Sequence, residues 1–397
     1  MRRRCQDAGF TLDARHVLLP PPCFPSSDES GPTDPAPELK PSSFLALESP
    51  SVLSLQGAVA SPRVHRLPDA TDPGADSMKL SVKQFSTVTG LTIVETLRQP
   101  VCLLVAITCI ALISLLPLIV THTLGEAGRL VRDSALAFHV VCGMLLGSFA
   151  ACSSLAHEIR RGTASAILSK PVSRELFFLA KFAGIGVVML LFSLAASIAT
   201  IMSVRMAAHR FAVDWWAGAP LLLATLLALL LAGALNYFAR RPFVSGAFVY
   251  MVLGLGAAFG IAGFLDDHGH AAPFGSLYAW KLVPACLLIA LAVLTLSAVA
   301  VSLATRFDVV PTVALCSAVF LLGLASDYLF GRHADAHATA AFLYAITPNW
   351  QHFWAADALS GTTGIPWSYV FRAGLYAIVY MVGVLALGMA SFRLVDV

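Results

Sequence analysis

From Val101 to the C-terminus the chain alternates between long apolar runs and short polar segments. Runs of about 20 apolar residues are long enough to cross a bilayer as helices. They fall near 101–121, 134–156, 176–203, 219–239, 243–265, 282–304, 309–330 and 369–391. The fourth and fifth are separated only by the tight turn Ala239-Arg240-Arg241-Pro242. The pattern predicts an all-α fold, a polytopic transmembrane helical bundle of about 8 spans, or 6 if some runs are re-entrant or interfacial helices. Ahead of the first span, Leu80, Phe85, Val88, Leu91, Val94 and Leu97 recur at helical spacing with Lys83, Gln84 and Thr87 between them. This predicts an amphipathic helix over 78–100 lying along the inner membrane surface, broken at Pro100 before the first span.

Composition agrees with the pattern and divides the chain. Of 397 residues, 57% are hydrophobic and 12% charged, against about 25% charged in a soluble domain. Residues 1–77 differ: they hold 12 of the 22 prolines and 10 of the 23 acidic residues, and no apolar run of spanning length. Rich in Pro, Ser and Asp, this tail is expected to be disordered. It is no secretory signal, because no apolar core follows Arg2, Arg3 and Arg4. Met78 opens a natural membrane-protein start, so 1–77 is either upstream sequence not translated natively or a cytosolic tail.

Charge orients the bundle. With the N-terminus in the cytoplasm, inner segments carry 11 Lys/Arg (Lys79, Lys83, Arg98, Arg160, Arg161, Lys170, Arg174, Arg240, Arg241, Arg306, Arg393). Outer segments carry 7 (Arg129, Arg132, Arg205, Arg210, Lys281, Arg332, Arg372). The bias favours a cytoplasmic N-terminus, and an even number of spans puts both ends inside. The segment 333–368, with Tyr344, Trp350, Phe353, Trp354 and Trp367, is predicted to form short outer helices at the water–lipid boundary. Trp215 and Trp216 mark the edge of another outer loop.

Catalytic chemistry is sparse. The chain contains no GxxxxGK[ST], GxSxG, HExxH or CxxC, so no catalytic residues, metal ligands or cofactor of its own are expected. Six of the eight cysteines lie in apolar runs and read as small apolar residues. His139 and Asn236, among the few polar residues within spans, read as interhelical hydrogen-bond partners. Histidines gather in outer loops at His122, His209, His268, His270, His333, His337 and His352. Asp266-Asp267-His268-Gly269-His270 is the densest group, a solvated loop without fixed metal-ligand spacing. Gly143/Gly147 and Gly256/Gly260 allow close helix approach, within the bundle or at a dimer seam.

One polar island has more structure than an ordinary loop. In 157–175, Gly162 can end the inner extension of the second span, and Thr163 can cap a short helix over Ala164–Ser169. Lys170 closes that helix and Pro171 stops it. Ser173 caps the next helix, with Glu175 in its first turn where the helix dipole favours an acid. Ile167 and Leu168 form an apolar tip among Arg160, Arg161, Lys170 and Arg174. An apolar tip ringed by charge suits the groove of a soluble partner.

Glu158, Gly162-Thr163, Leu168, Pro171-Val172-Ser173-Arg174 and Lys181 resemble the E…GT…LL…PVSR…K pattern of ABC-2 transporter permeases. The closest resemblance is to the branch associated with multi-copper enzyme maturation. It is strongest from the helix at 80–97 through the third span, and middle residues 204–330 match mainly in hydropathy. A weaker echo of the family's last outer loop and final span lies in Pro348-Asn349 through Phe353, Asp357-Ala358-Leu359, Ile365-Pro366 and Phe392-Arg393. The family commonly has six spans.

The resemblance implies an ABC-2 exporter-like permease, a multi-pass protein of the bacterial cytoplasmic (inner) membrane. In the family this loop is the coupling helix that contacts a separate P-loop ATPase, the subunit that binds ATP and Mg. Docking residues carried over are Glu158, Arg160, Arg161, Gly162, Thr163, Ile167, Leu168, Pro171, Ser173 and Arg174. A second permease chain, identical or not, and the lipid bilayer are further partners, and no nucleic acid is expected. Two other readings stay open: a secondary transporter or channel that needs no ATPase, and a membrane metal-handling assembly factor using the outer histidines.

Overall fold

The computed structural model describes residues 73–120, 126–160, 173–207, 213–333, 337–360 and 364–394. Helix α1 (Pro73–Leu97) precedes α2 (Pro100–Ile119), and α3 (Ala127–Ala151) continues through a π-turn, Cys152–Ala156, to Arg160. Then come α4 (Arg174–Met206), α5 (Trp215–Ala239), α6 (Phe243–Gly263), α7 (Val283–Leu303) and α8 (Val309–Leu324). The short α9 (Ala338–Ile346) and the long α10 (Trp367–Arg393) complete the chain.

Among the described residues, seven helices are long and apolar enough to cross a membrane: α2, α3 with its extension, α4, α5, α6, α7 with its leading turn, and α10. The predicted span at 309–330 is not a straight helix. Its first part, α8, has 16 residues, and the chain then bends by 60° into Ser326–His333. Ser326 marks the break, its hydroxyl donating to the Gly323 carbonyl at 2.8 Å. Gly323 is obligatory here, because a Cβ would lie 2.1 Å from the Pro348 carbonyl and 2.3 Å from the Trp350 ring. The bent pair counts as an eighth span only if both parts are taken together.

Helices α3, α4 and α7 form the buried centre, while α5, α6 and α10 expose much of their apolar surface. Leu104, Leu230, Leu253, Phe371 and Leu387 are among the large side chains left uncovered. In a bilayer such faces meet lipid or another chain rather than water. Gly143 and Gly147 let α3 approach α7 closely: a Cβ on either would fall 2.6 Å from Val293 or Ser297. The other predicted pair behaves differently, since nothing lies within 4 Å of a Cβ at Gly256 or Gly260.

Two polar expectations change. His139 is fully buried, but neither ring nitrogen has a hydrogen-bond partner among the described residues. It packs edge-on against Phe192 at 5.6 Å, as an aromatic side chain rather than an interhelical donor. Asn236 donates to the Arg241 carbonyl at 2.6 Å and so closes the turn between α5 and α6. Arg240 makes that turn possible by adopting a left-handed φ of 51°.

Helix α1 covers the predicted amphipathic segment but begins at Pro73, before Met78. Its break falls where expected: Gln99 is extended and Pro100 starts α2, as the residue before a proline is pushed out of helical conformation. In the segment 333–368, α9 and two short 3₁₀ turns appear. Trp350 and Phe353 are buried against the bundle, whereas Trp354 and Trp367 remain exposed.

Candidate functional site

The best-defined polar constellation lies where the helices flank the predicted docking loop. Lys181, on the second turn of α4, is 1% exposed. Its ammonium sits 2.8 Å from Glu158 Oε1, 3.0 Å from Glu95 Oε2 and 3.0 Å from Ser154 Oγ. The Ser154 hydroxyl also donates to Glu95 Oε2 at 3.3 Å. Three elements therefore meet on one cation: α1 through Glu95, the extension of α3 through Ser154 and Glu158, and α4 through Lys181.

Local geometry explains how each group arrives. Glu95 stands one helical repeat from Thr92 and two from Thr89, on the face of α1 that packs against α4. Thr89 donates to the Ala180 carbonyl at 3.3 Å. A Cβ on Gly184 would lie 2.6 Å from Thr92, so glycine permits the approach. The π-turn at Cys152–Ala156 widens the helix by one residue, with the His157 amide bonding to the Cys152 carbonyl. Such turns are frequent at functional sites; here the Ser154 carbonyl lies 3.5 Å from the Lys181 ammonium. The lysine stem runs past Phe177, whose ring centre is 5.7 Å from the ammonium.

Such a cluster resists having any one member removed. Buried charges are costly unless paired, and loss of one partner leaves the others exposed to a low-dielectric surround. One ammonium here is shared by two carboxylates, one from α1 and one from the extension of α3. Glu158 is 14% exposed at its side chain and Glu95 28%. Glu158 is thus the more confined of the two.

A second tie lies beside it. Ser173 accepts from the Leu176 amide at 3.2 Å, giving α4 the N-cap that the sequence predicts. Glu175 in the first turn pairs with Arg393 at the end of α10, and Arg174 Nη1 donates to the Arg393 carbonyl at 3.4 Å. Phe392 stacks over Phe177 and Phe178. The foot of α4 is thereby joined to α1, α3 and α10.

The far end of α4 carries another buried pair, 24 residues or about 36 Å along the helix. Arg205 donates to Asp214 at 2.9 Å, to the Ala262 carbonyl at 2.5 Å and to the Leu265 carbonyl at 2.9 Å. Asp214 accepts in turn from the Trp216 and Ala217 amides, capping α5. Tyr278 lies over the guanidinium and donates to the Phe259 carbonyl at 2.6 Å. Burial pushes its hydroxyl pKa up to about 12, so it stays protonated. This network fastens α4, α5, α6 and the loop after α6, and offers no open site.

Of the predicted docking residues, Glu158 lies in the Lys181 cluster, Arg160 ends the extension of α3, Ser173 caps α4 and Arg174 reaches Arg393. Arg161, Gly162, Thr163, Ile167, Leu168 and Pro171 lie outside the described residues, as does the predicted helix 164–169. Sequence reading missed Glu95 altogether and read Lys181 only as a motif letter. The signal for Glu95 was a carboxylate on the apolar face of an amphipathic helix, in register with Val88 and Thr92.

Among the described residues no three His, Cys, Asp or Glu side chains are arranged to hold a metal ion. In the histidine-rich loop Asp266 accepts from the His268 and His270 amides, at 2.9 and 2.8 Å. The carboxylate closes a turn, and the His270 amide is the main cause holding its pKa below the usual aspartate value. His122 and His209 lie outside the described residues.

Residues 96–304, just over half of the chain, match the model of a family described as ABC-2 family transporter protein. The match spans α2 to α7 and includes Ser154, Glu158 and Lys181. It does not extend to the narrower copper-enzyme-maturation branch. No curated protein matches the chain.

Proposed function

Because the chain belongs to the ABC-2 transporter family, whose members are membrane transport components, we propose that it is the permease subunit of an ATP-driven exporter. A separate P-loop ATPase holds ATP and Mg and docks on the 157–175 segment. Ile167 and Leu168 fill the ATPase groove, with Arg160 and Arg161 on its rim. Export is the direction implied by the family resemblance. The Lys/Arg bias supports cytoplasmic N- and C-termini, and the bacterial cytoplasmic membrane is the location that fits the family. The exposed apolar faces of α5, α6 and α10 leave room for a second permease chain as well as lipid.

The observation that carries this reading is the Lys181 cluster. Glu158 stands three residues before the undescribed stretch 161–172, and Ser173 directly follows it. A push on the loop acts at both ends on groups already tied together: Glu158 to Lys181, and Arg174 to the end of α10. Through Glu95 the same cation reaches α1. Displacement of one short segment then moves α1, α3 and α4 together, which is what opening a bundle requires. Buried, paired charges transmit such a displacement because they do not rearrange cheaply.

Leu168→Asp tests the docking step. Truncating or charging an apolar anchor at an interface costs about 2 kcal/mol or more. The variant should keep the thermal stability of the wild-type bundle while losing transport-coupled ATP hydrolysis. Unchanged transport with normal co-purification of the ATPase would sink the docking claim. Transport by the purified chain with no ATPase present would favour a secondary transporter instead.

A further inference from the structure

Arg372 is the only charged residue between Trp367 and Phe392 in α10. Arg393 ends the same helix beside Glu175. The 21 residue steps from one arginine to the other span about 31 Å, the thickness of a bilayer's hydrocarbon core. Arg372 therefore stands at the membrane boundary opposite the Lys181 cluster, about 7.5 Å along the helix from Trp367, an exposed indole of the kind that marks such boundaries. Its Nε donates to the Ser368 carbonyl at 3.3 Å, and among the described residues no carboxylate pairs with it.

The guanidinium borders an open groove of about 260 Å³ lined by His352, Tyr369, Arg372, Ala373 and Tyr376. Tyr369 donates to the His352 carbonyl at 2.9 Å, which fixes that wall. The Tyr376 oxygen accepts from the Asn349 amide at 3.0 Å and keeps its own proton to give. The His352 ring stands edge-on to Tyr376 at 5.3 Å. The lining offers a cationic fork, a phenolic O–H and an imidazole, and no acid. Arginine forks of this kind suit phosphate oxygens. Below the groove, on the stripe that continues from Arg372, Leu375, Val379 and Val382 are all more than half exposed. They form an apolar track running toward the middle of the membrane.

We propose that this groove binds the phosphate of an anionic phospholipid, with an acyl chain lying along Leu375, Val379 and Val382. The ligand chemistry is a phosphate, and the apolar track assigns it to a lipid rather than a soluble molecule. The proposal stands apart from how an ATPase docks, since it uses only the opposite end of the bundle.

Native mass spectrometry of the full chain in detergent tests it, with phosphatidylglycerol, phosphatidylcholine and inorganic phosphate as separate titrants. The wild type should retain phosphatidylglycerol in preference to phosphatidylcholine. Arg372→Gln should weaken phosphatidylglycerol retention about tenfold, worth about 1.4 kcal/mol, and weaken phosphatidylcholine, whose choline offsets the phosphate charge, by less. Both Arg372 and His352 are exposed, so His352→Ala is a second variant that leaves the core intact, and it should give a smaller loss in the same direction. Equal retention of the two lipids, or unchanged phosphatidylglycerol binding in both variants, overturns the site. Displacement of the lipid by millimolar inorganic phosphate overturns the lipid assignment.

Discussion

Replacing Lys181 with methionine removes one cation from two carboxylates while keeping most of the side-chain volume. Glu158 and Glu95 then face each other across the space where an ammonium stood 2.8 and 3.0 Å away. Breaking a buried pair by removing one partner costs about 3–5 kcal/mol. The Glu95 side chain is 28% exposed and Glu158 14%, so water screens part of this and the lower end, about 3 kcal/mol, applies. At about 2–4 °C per kcal/mol for a large domain, the midpoint should fall by about 6–12 °C. Thermal unfolding in detergent, followed by the loss of the monodisperse peak in size-exclusion chromatography, measures the shift. Adding Glu158→Gln to Lys181→Met removes one of the two carboxylates that faced the ammonium. The double variant should therefore be more stable than the sum of the single effects by about 1–2 kcal/mol. Additivity within about 0.5 kcal/mol would mean the two side chains do not interact, and the proposed transmission from the loop through Lys181 would lose its physical basis.

Three other outcomes follow from the geometry. Gly147→Ala places a Cβ 2.6 Å from the Ser297 hydroxyl and should cost about 1–3 kcal/mol by overpacking. Gly256→Ala meets nothing within 4 Å and should be neutral or stabilising by up to about 1 kcal/mol; matching thermal shifts in the two variants would refute the packing assignment. Arg205→Leu strands the buried Asp214 and two carbonyls and should cost about 3–5 kcal/mol, with Arg205→Leu/Asp214→Asn recovering part of the loss in the same assay. Asp266 has a depressed pKa, so its contribution to loop order is present above the unfolded value near 3.8 and lost as pH falls through the lower folded value. Amide exchange at His268 and His270, corrected for intrinsic rates, should accelerate only below about pH 4; protection unchanged to pH 2 would contradict the assigned turn.

Much of the architecture was legible because lipid leaves few solutions. An apolar run of about 20 residues in a chain this poor in charge has to be a helix crossing a membrane, and seven of the eight predicted runs are continuous helices. The exception, 309–330, is set by contacts that hydropathy cannot register: a carbonyl of Pro348 and the ring of Trp350 pressed against Gly323. Capping at Ser173 was readable because it is local, a hydroxyl three residues before the amide it accepts from. Glu95 with Lys181 was not, since 86 residues separate them and only the packing of α1 on α4 brings them together. His139 was misread for a related reason. Its polar ring suggested a hydrogen bond, and its neighbours turned out to offer an aromatic face.

In the proposed mechanism an ATPase bears on the loop between α3 and α4. A photo-crosslinking amino acid placed at Leu168 in the full-length chain tests this in native membranes. One dominant adduct is expected, identified by mass spectrometry as a P-loop ATPase, its yield altered by ATP and lost when Ile167 is changed to Asp. Adducts confined to lipid or to other copies of this chain, in membranes that still transport, would contradict it.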